Sequence, residues 1–328
     1  MKHFIGIDLG GTNIATGVVN EKFEIISKAQ TKTLSSRPDS EIAEDMAKTA
    51  LEAVEKAGLT LADIDSVGIG TPGIANNKTG IIEYSNNLGF VNTPMRDYIK
   101  KYIDKPVYIE NDANTAAFGE YLAGAAKGVQ NAVCITLGTG VGSGIIIDGK
   151  IYSGSNNGGA EIGHTVIDIG GPPCTCGRTG CFEVFCSATG LIRMAREAME
   201  TEREDSGKNS LLWAISKERD GKISARNIYD AMREKDKLAA GVVSKYEYCL
   251  AIGIANVINV FQPDILCIGG GICNEGDNLL LPLRERVKKE VYTKNSEKNT
   301  EIVIAKLGND AGLIGAALLG LEESPIGQ

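Results

Sequence analysis

The sequence predicts an α/β protein built from two related halves, and three observations carry that expectation. Short apolar runs of strand character alternate with segments whose apolar residues recur at helical spacing. A strand, a glycine turn and a second strand occur at HFIGIDLGGTNIATGVVN and again, in different letters, at AVCITLGTGVGSGIIIDGK. The chain has 328 residues, 43% of them hydrophobic, above the size where a single core usually stops growing.

The opening run meets Asp8, turns at Gly10 and Gly11, and resumes over Ile14 to Val19; FEIISKAQTKT then continues as the third strand of a meander. After the polar SSRPDS, Ile42, Met46, Ala50 and Val54 mark a helix over 41–57 that Gly58 stops. SVGIGTPGIA is a short strand running into a Gly/Pro turn. PVYIEND, from near 106, is a strand that delivers Glu110, Asn111 and Asp112 at its C-terminal end, and ANTAAFGEYLAGAA is a helix rich in small residues. Residues 151–187, beyond the second strand pair, are dense in Gly, Pro and Cys and carry no regular pattern, which marks a functional loop. From 188 to 260 the pattern is mainly helical, with REDSGKNS and KERDGK as solvated turns. DILCIGGGI is a buried strand ending in three glycines, and EIVIAKLGNDAGLIGAALLGL closes the chain with a strand, a turn and an apolar helix.

Composition excludes several classes. The net charge of -8 comes without a basic block, so nucleic acid is not expected as a partner. MKHFIGIDLGG lacks the apolar core and cleavage site of a signal peptide, and no run approaches the roughly 20 apolar residues of a membrane span. A cytoplasmic protein without a membrane partner is expected. Of the eight cysteines, Cys134, Cys186, Cys249, Cys267 and Cys273 sit mostly in apolar surroundings and read as small core residues.

Asp8, Gly10, Gly11 and Thr12 suit a turn whose N–H groups and hydroxyl face phosphate while Asp8 holds Mg²⁺ or orients its water shell. Gly138, Thr139 and Gly140 make a second such turn. Neither matches a P-loop or a dinucleotide fingerprint, and each alone reads equally as a tight hairpin. Two turns favour a phosphate site split between the halves, and Gly269, Gly270 and Gly271 end a strand where an adenosine could approach the backbone.

Asp112, at a strand end, is placed to take a proton from an attacking hydroxyl, and Asn111 to donate to one hydroxyl and accept from another. The competing reading is helix capping by Asp112 or Asn114. Glu161 and His164 converge if their stretch forms a helical turn, and Glu183 follows the cysteines directly. His164, Cys174, Cys176 and Cys181 give H-x9-C-x-C-x4-C, a tetrahedral Zn²⁺ set with no open position, hence a structural ion that orders the loop around Glu161 and Glu183. That closed set argues against a zinc hydrolase, and C-x-C is not a redox C-x-x-C pair.

DLGGTNI, ENDANTAAFGE, LGTGVGSGI, GGAEIGH and CTCGRTGCFE stand in an order and spacing that resembles the ROK family of bacterial sugar kinases and repressors, and within it the glucokinase branch. The match spans essentially the whole chain. The resemblance implies an actin-like ATPase (ribonuclease H-like) α/β fold with two lobes and a central cleft. One lobe would comprise 1–118 plus 308–328; the larger, 119–307, would carry the zinc loop and a dimerisation surface. It implies transfer of phosphoryl from MgATP to the 6-hydroxyl of glucose. Asp112 is then the base; Asn87, Asn111, Asp112, Glu161, His164 and Glu183 bind the sugar; His164, Cys174, Cys176 and Cys181 hold zinc. The nucleotide motifs correspond to Asp8 through Thr12, Gly138 through Gly140 and Gly269 through Gly271. His164 would place one ring nitrogen on zinc and the other toward sugar, and a homodimer or homotetramer is expected. NLGF departs from the common family NLGW. A kinase for N-acetylmannosamine, fructose or allose would use the same constellation. The repressor branch carries a helix-turn-helix domain ahead of DLGGT, for which a strand starting at residue 4 leaves no room, so a catalytic member is expected rather than a sugar-binding regulator.

Overall fold

The computed structural model describes residues 2–205 and 207–322. Residue 206, within the turn expected at 203–210, and residues 323–328, within the expected 308–328 segment, lie outside the described residues.

The chain opens with β1 (His3–Leu9), β2 (Asn13–Asn20) and β3 (Ile25–Lys32), the expected meander, followed by α1 (Asp39–Lys56). Then come β4 (Ser66–Thr71), β5 (Ile74–Asn76), β6 (Ile81–Ser85), β7 (Phe90–Thr93), α2 (Met95–Lys100), β8 (Val107–Asn111) and α3 (Asp112–Ala123). The second half runs β9 (Ala132–Leu137), β10 (Val141–Ile147), β11 (Lys150–Ile151), α4 (Phe182–Cys186), α5 (Ala188–Asp205), α6 (Leu211–Glu218), α7 (Ala225–Arg233) and α8 (Lys237–Phe261). It ends with β12 (Ile265–Gly269), α9 (Asp277–Glu290), β13 (Glu301–Ile304), α10 (Ala311–Ala317) and α11 (Leu319–Glu322).

Two compact units result, one of Met1–Cys134, Gly144–Ala160 and Ala305–Gln328, the other of Ile135–Ser143 and Glu161–Ile304. This division differs from boundaries at 118 and 307. Helix α3 runs on to Ala123, and Glu120 near its end accepts the N–H groups of Lys306 and Leu307 at 3.1 and 2.7 Å, which binds 119–134 to the first unit.

In the first unit the sheet order is β3-β2-β1-β4-β8. Strands β1, β2 and β3 pair antiparallel, whereas β4 runs parallel to both β1 and β8. The register sets Asp8 beside Gly70 and Gly70 beside Glu110, so the acidic strand ends share one edge of the sheet. Helix α1 buries Ile42, Met46, Ala50 and Val54 against it, the stripe its periodicity foretold. Helix α10 lies so close to the strands that a Cβ on Gly68 would stand 1.7 Å from the Ala316 carbonyl oxygen. A Cβ on Gly315 would stand 1.7 Å from that of Thr115 in α3. A separate sheet, β5-β6-β7, carries the Asn86–Gly89 turn.

The second sheet has the order β11-β10-β9-β12-β13. Counted along each half, both sheets read 3-2-1-4-5, the ribonuclease H-like order, so the weak self-similarity of the two strand–turn–strand segments reflects a repeated topology. Helix α8 packs on α9, α7, α4 and α5. Among the described residues it is the one helix long and apolar enough to cross a membrane. Lys245 and Glu247 interrupt its apolar run, and Glu247 is buried in this packing.

Candidate functional site

Within the first unit, the turn between β1 and β2 is closed by Gly10 N–H donating to the Asn13 carbonyl at 2.9 Å. The residue just past β3 clamps it from the side: the Thr33 hydroxyl donates to Gly10 O at 2.6 Å, and Thr33 N–H to Thr12 O at 3.0 Å. The turn's carbonyls are thereby engaged inward. Among the described residues the N–H groups of Gly11 and Thr12 have no partner, and both residues are exposed. This is the donor arrangement a phosphate needs. Asn87 stands beside it, its Cβ 3.7 Å from where a Cβ on Gly11 would be.

Asp8 is pushed up to about 6 by burial and then by the nearby carboxylate of Asp112. Burial also raises Asp112, against the opposing pull of the Ala113 N–H it accepts at 2.9 Å. The competing reading, a helix cap at Asp112 or Asn114, is not what the backbone forms: the cap is Asn111. Its Oδ1 accepts from Ala113 N–H at 2.8 Å and Asn114 N–H at 3.2 Å, and its Nδ2 donates to Gly73 O at 3.1 Å. Strand β8 turns directly into α3 with no intervening loop, so Asp112 occupies the first helical position. There the helix dipole favours its negative charge while burial opposes it. Glu110 faces inward and is satisfied by Asn114 Nδ2 at 3.0 Å, Asn111 N–H at 2.7 Å and Ser153 Oγ at 3.0 Å. It is the scaffold under Asp112.

The second unit holds the other glycine turn. Gly138 N–H donates to Gly140 O at 3.0 Å, Ala188 N–H to Gly138 O at 2.8 Å, and the Thr189 hydroxyl to Thr139 O at 2.9 Å. Again the carbonyls are used inward, and among the described residues the N–H groups of Thr139 and Gly140 are without partners.

His164, Cys174, Cys176 and Cys181 converge, one ligand atom from each lying within 4.8 Å of the others. His164 Nδ1 is 3.7 Å from Cys174 Sγ, and Cys176 Sγ is 3.7 Å from Cys181 Sγ. A tetrahedron with Zn–S bonds of about 2.3 Å has edges of about 3.8 Å, so the donor set fits a zinc ion. The loop closes tightly enough that a Cβ on Gly180, at φ +69°, would stand 1.6 Å from Asp168 O. Burial pushes the Cys181 thiol up to about 12, with Cys176 and Cys174 beside it, an arrangement that a bound dication relieves by displacing protons. Glu161 precedes a 3-10 turn, Ile162–His164, as the expected helical turn. Glu183 lies in the first turn of α4; its Oε2 accepts Val141 N–H at 2.9 Å.

Gly269 ends β12, and Gly270 and Gly271 follow it into a 3-10 turn. Gly270 has φ +90°, and a Cβ there would meet Leu137 O at 2.4 Å. Beside Gly271 a cavity of about 430 Å³ is lined by Arg226, Tyr229, Arg233, Asn274 and Asn278, none of which the sequence singled out. Helix α7 reads as an ordinary amphipathic helix, and no local signal marks its polar face as a cavity wall. A cavity of about 440 Å³ between α9 and residues 294–302 contains none of the predicted residues.

The sequence model of the ROK family matches residues 4–323. A glucokinase of Halalkalibacterium halodurans is 36% identical over 96% of this chain and 94% of its own. A glucokinase of Thermotoga maritima is 36% identical over 95% of each chain. The crystal structure of a ROK family glucokinase from Streptomyces griseus, in complex with glucose and AMPPNP, is 33% identical and superposes with a TM-score of 0.77 over 97% of this chain and 98% of its own.

Proposed function

This chain belongs to the ROK family, and from that premise we propose that it is a glucokinase, transferring the terminal phosphoryl group of ATP to the 6-hydroxyl of glucose. The observation that carries the proposal is the pairing of a half-buried, basicity-enhanced Asp112 with Asp8 and with the unpartnered N–H groups of Gly11 and Thr12. A raised pKa makes Asp112 a stronger proton acceptor for the attacking hydroxyl, and its place at the start of α3 fixes it without a flexible loop. Two full-length relatives named glucokinase, and a third solved with glucose and AMPPNP, support the substrate pair.

The roles assigned to single residues are part of the proposal. Asp112 takes the proton. Asn87, Asn111, Asp112, Glu161, His164 and Glu183 hold sugar hydroxyls, Asn111 with the Nδ2 proton that Gly73 leaves free. The Gly10–Thr12 and Gly138–Gly140 turns bind phosphate oxygens, and the cavity beside Gly271 takes the nucleoside. Asp8 would hold Mg²⁺ or its water shell, which lowers the charge of the transferring group when bound. His164, Cys174, Cys176 and Cys181 would hold a structural zinc through His164 Nδ1, leaving Nε2 for sugar. A cytoplasmic homodimer or homotetramer completes the reading.

The test is ADP release with MgATP over glucose, mannose, fructose, allose, N-acetylmannosamine and N-acetylglucosamine, with a no-sugar control. Glucose preference with a hexose 6-phosphate product supports the proposal. Preference for an acylated amino sugar moves the substrate, and no sugar-dependent turnover rejects it.

A further inference from the structure

We propose that Glu183 is a positioning residue for the nucleotide, holding the Gly138–Gly140 turn in its binding shape and tying that turn to the His164–Cys181 loop. The inference rests on the phosphoryl-transfer reading and adds to Glu183 a task separate from contact with sugar.

Four observations bear on it. Glu183 Oε2 accepts Val141 N–H at 2.9 Å, immediately after the turn. The same oxygen would lie 2.3 Å from a Cβ on Gly140, so the carboxylate fills the space that a glycine leaves there. Its other oxygen lies 4.0 Å from Cys174 Sγ in the loop. Its own backbone is set by that loop, because Cys181 is the N-cap of α4 and Phe182 N–H donates to Thr165 O at 2.7 Å. Just past α4, Ala188 and Thr189 take the carbonyls of Gly138 and Thr139. The turn is therefore gripped at both ends by residues 183–189, and the N–H groups of Thr139 and Gly140 are what it leaves outward.

Charge alone would argue against this residue. A carboxylate touching a phosphate-binding turn repels a polyphosphate, so its contribution must come from geometry: an acceptor that orients Val141 and a volume that supports Gly140. Position and charge are separable by substitution. In Glu183→Gln the amide oxygen still accepts from Val141 N–H while the charge is gone; in Glu183→Ala both acceptor and volume are lost.

The experiment is titration calorimetry of the zinc-replete wild type, Glu183→Gln and Glu183→Ala with MgAMPPNP in the absence of sugar, with zinc content and melting temperature measured in parallel. The expected result is an affinity for Glu183→Gln equal to or tighter than wild type, and about tenfold weaker binding for Glu183→Ala, the order of one lost hydrogen bond. Glu183→Ala within twofold of wild type overturns the inference, as does Glu183→Gln weakened tenfold, which decides the matter even if the alanine variant fails to fold. If the wild type itself binds no MgAMPPNP, the nucleotide reading falls and this inference with it. Wild-type binding matched by both variants removes the inference alone.

Discussion

Replacing Asp8 by Asn tests the electrostatics of the β1 strand end directly. The Asp8 carboxyl is raised from 3.8 to about 6, first by burial and then by Asp112. Because the folded value lies above the unfolded one, the native state binds the extra proton. Its stability is greatest below 3.8, falls as pH rises through the window from 3.8 to about 6, and stays reduced above it. A rise of roughly two pH units corresponds to about 3 kcal/mol at neutral pH. Asp8→Asn keeps the shape, removes the ionisation, and should recover much of that in protein free of Mg²⁺ and nucleotide. At about 2–4 °C per kcal/mol for a unit of this size, the variant should melt up to about 10 °C higher at pH 7.5. The gap should shrink by about half at pH 5, where the native carboxyl is mostly protonated. Kinase turnover should fall at the same time, a gain in stability bought with function. Differential scanning fluorimetry at the two pH values decides it. Equal melting at pH 7.5, or a gap as wide at pH 5, refutes the assignment of a strained, buried charge to Asp8.

Asp112→Asn should fold and bind both substrates within about threefold of wild type yet lose about 10²-fold or more in turnover, read from initial rates; near-normal turnover removes its role as base. Cys176→Ser should lower bound zinc, measured by plasma emission, and loosen glucose more than it changes melting of the first unit; unchanged metal content rejects the four-ligand site. Gly315→Ala sets a methyl against the Thr115 carbonyl oxygen, a 1.7 Å approach that forces α10 from α3 and should cost on the order of 3 kcal/mol in chemical denaturation. A cost under about 0.5 kcal/mol would mean that the two helices separate freely.

What the sequence made legible and what it hid divide along a physical line. Strand, turn and helix signals that repeat locally were readable: the α1 stripe, the two glycine turns and the metal-ligand spacing all sit within short stretches of chain. Strands β5 to β7 were missed because they are three to five residues long and expose Tyr84 and Val91 where alternation would bury them. Helix α9 carries an internal Pro282, which reads as a breaker. The cap of α3 was displaced by one residue because strand and helix abut, so that a single tripeptide ends one element and starts the next. That abutment also gives the three polar side chains different surroundings. Glu110 is engaged in the interior, Asn111 in the cap, and the half-buried carboxylate of Asp112 lies near Asp8. Sequence can name three polar neighbours, but only the backbone path separates them into a buried scaffold, a cap and the carboxylate proposed as base. The same limit hides the contact of Glu183 with the second glycine turn. Its partner Val141 lies 42 positions away, and neither residue advertises the other. A motif residue that a linear reading gives to one ligand is thereby open to a second proposed task, and substitutions that keep one of those tasks while removing the other are the ones that separate them.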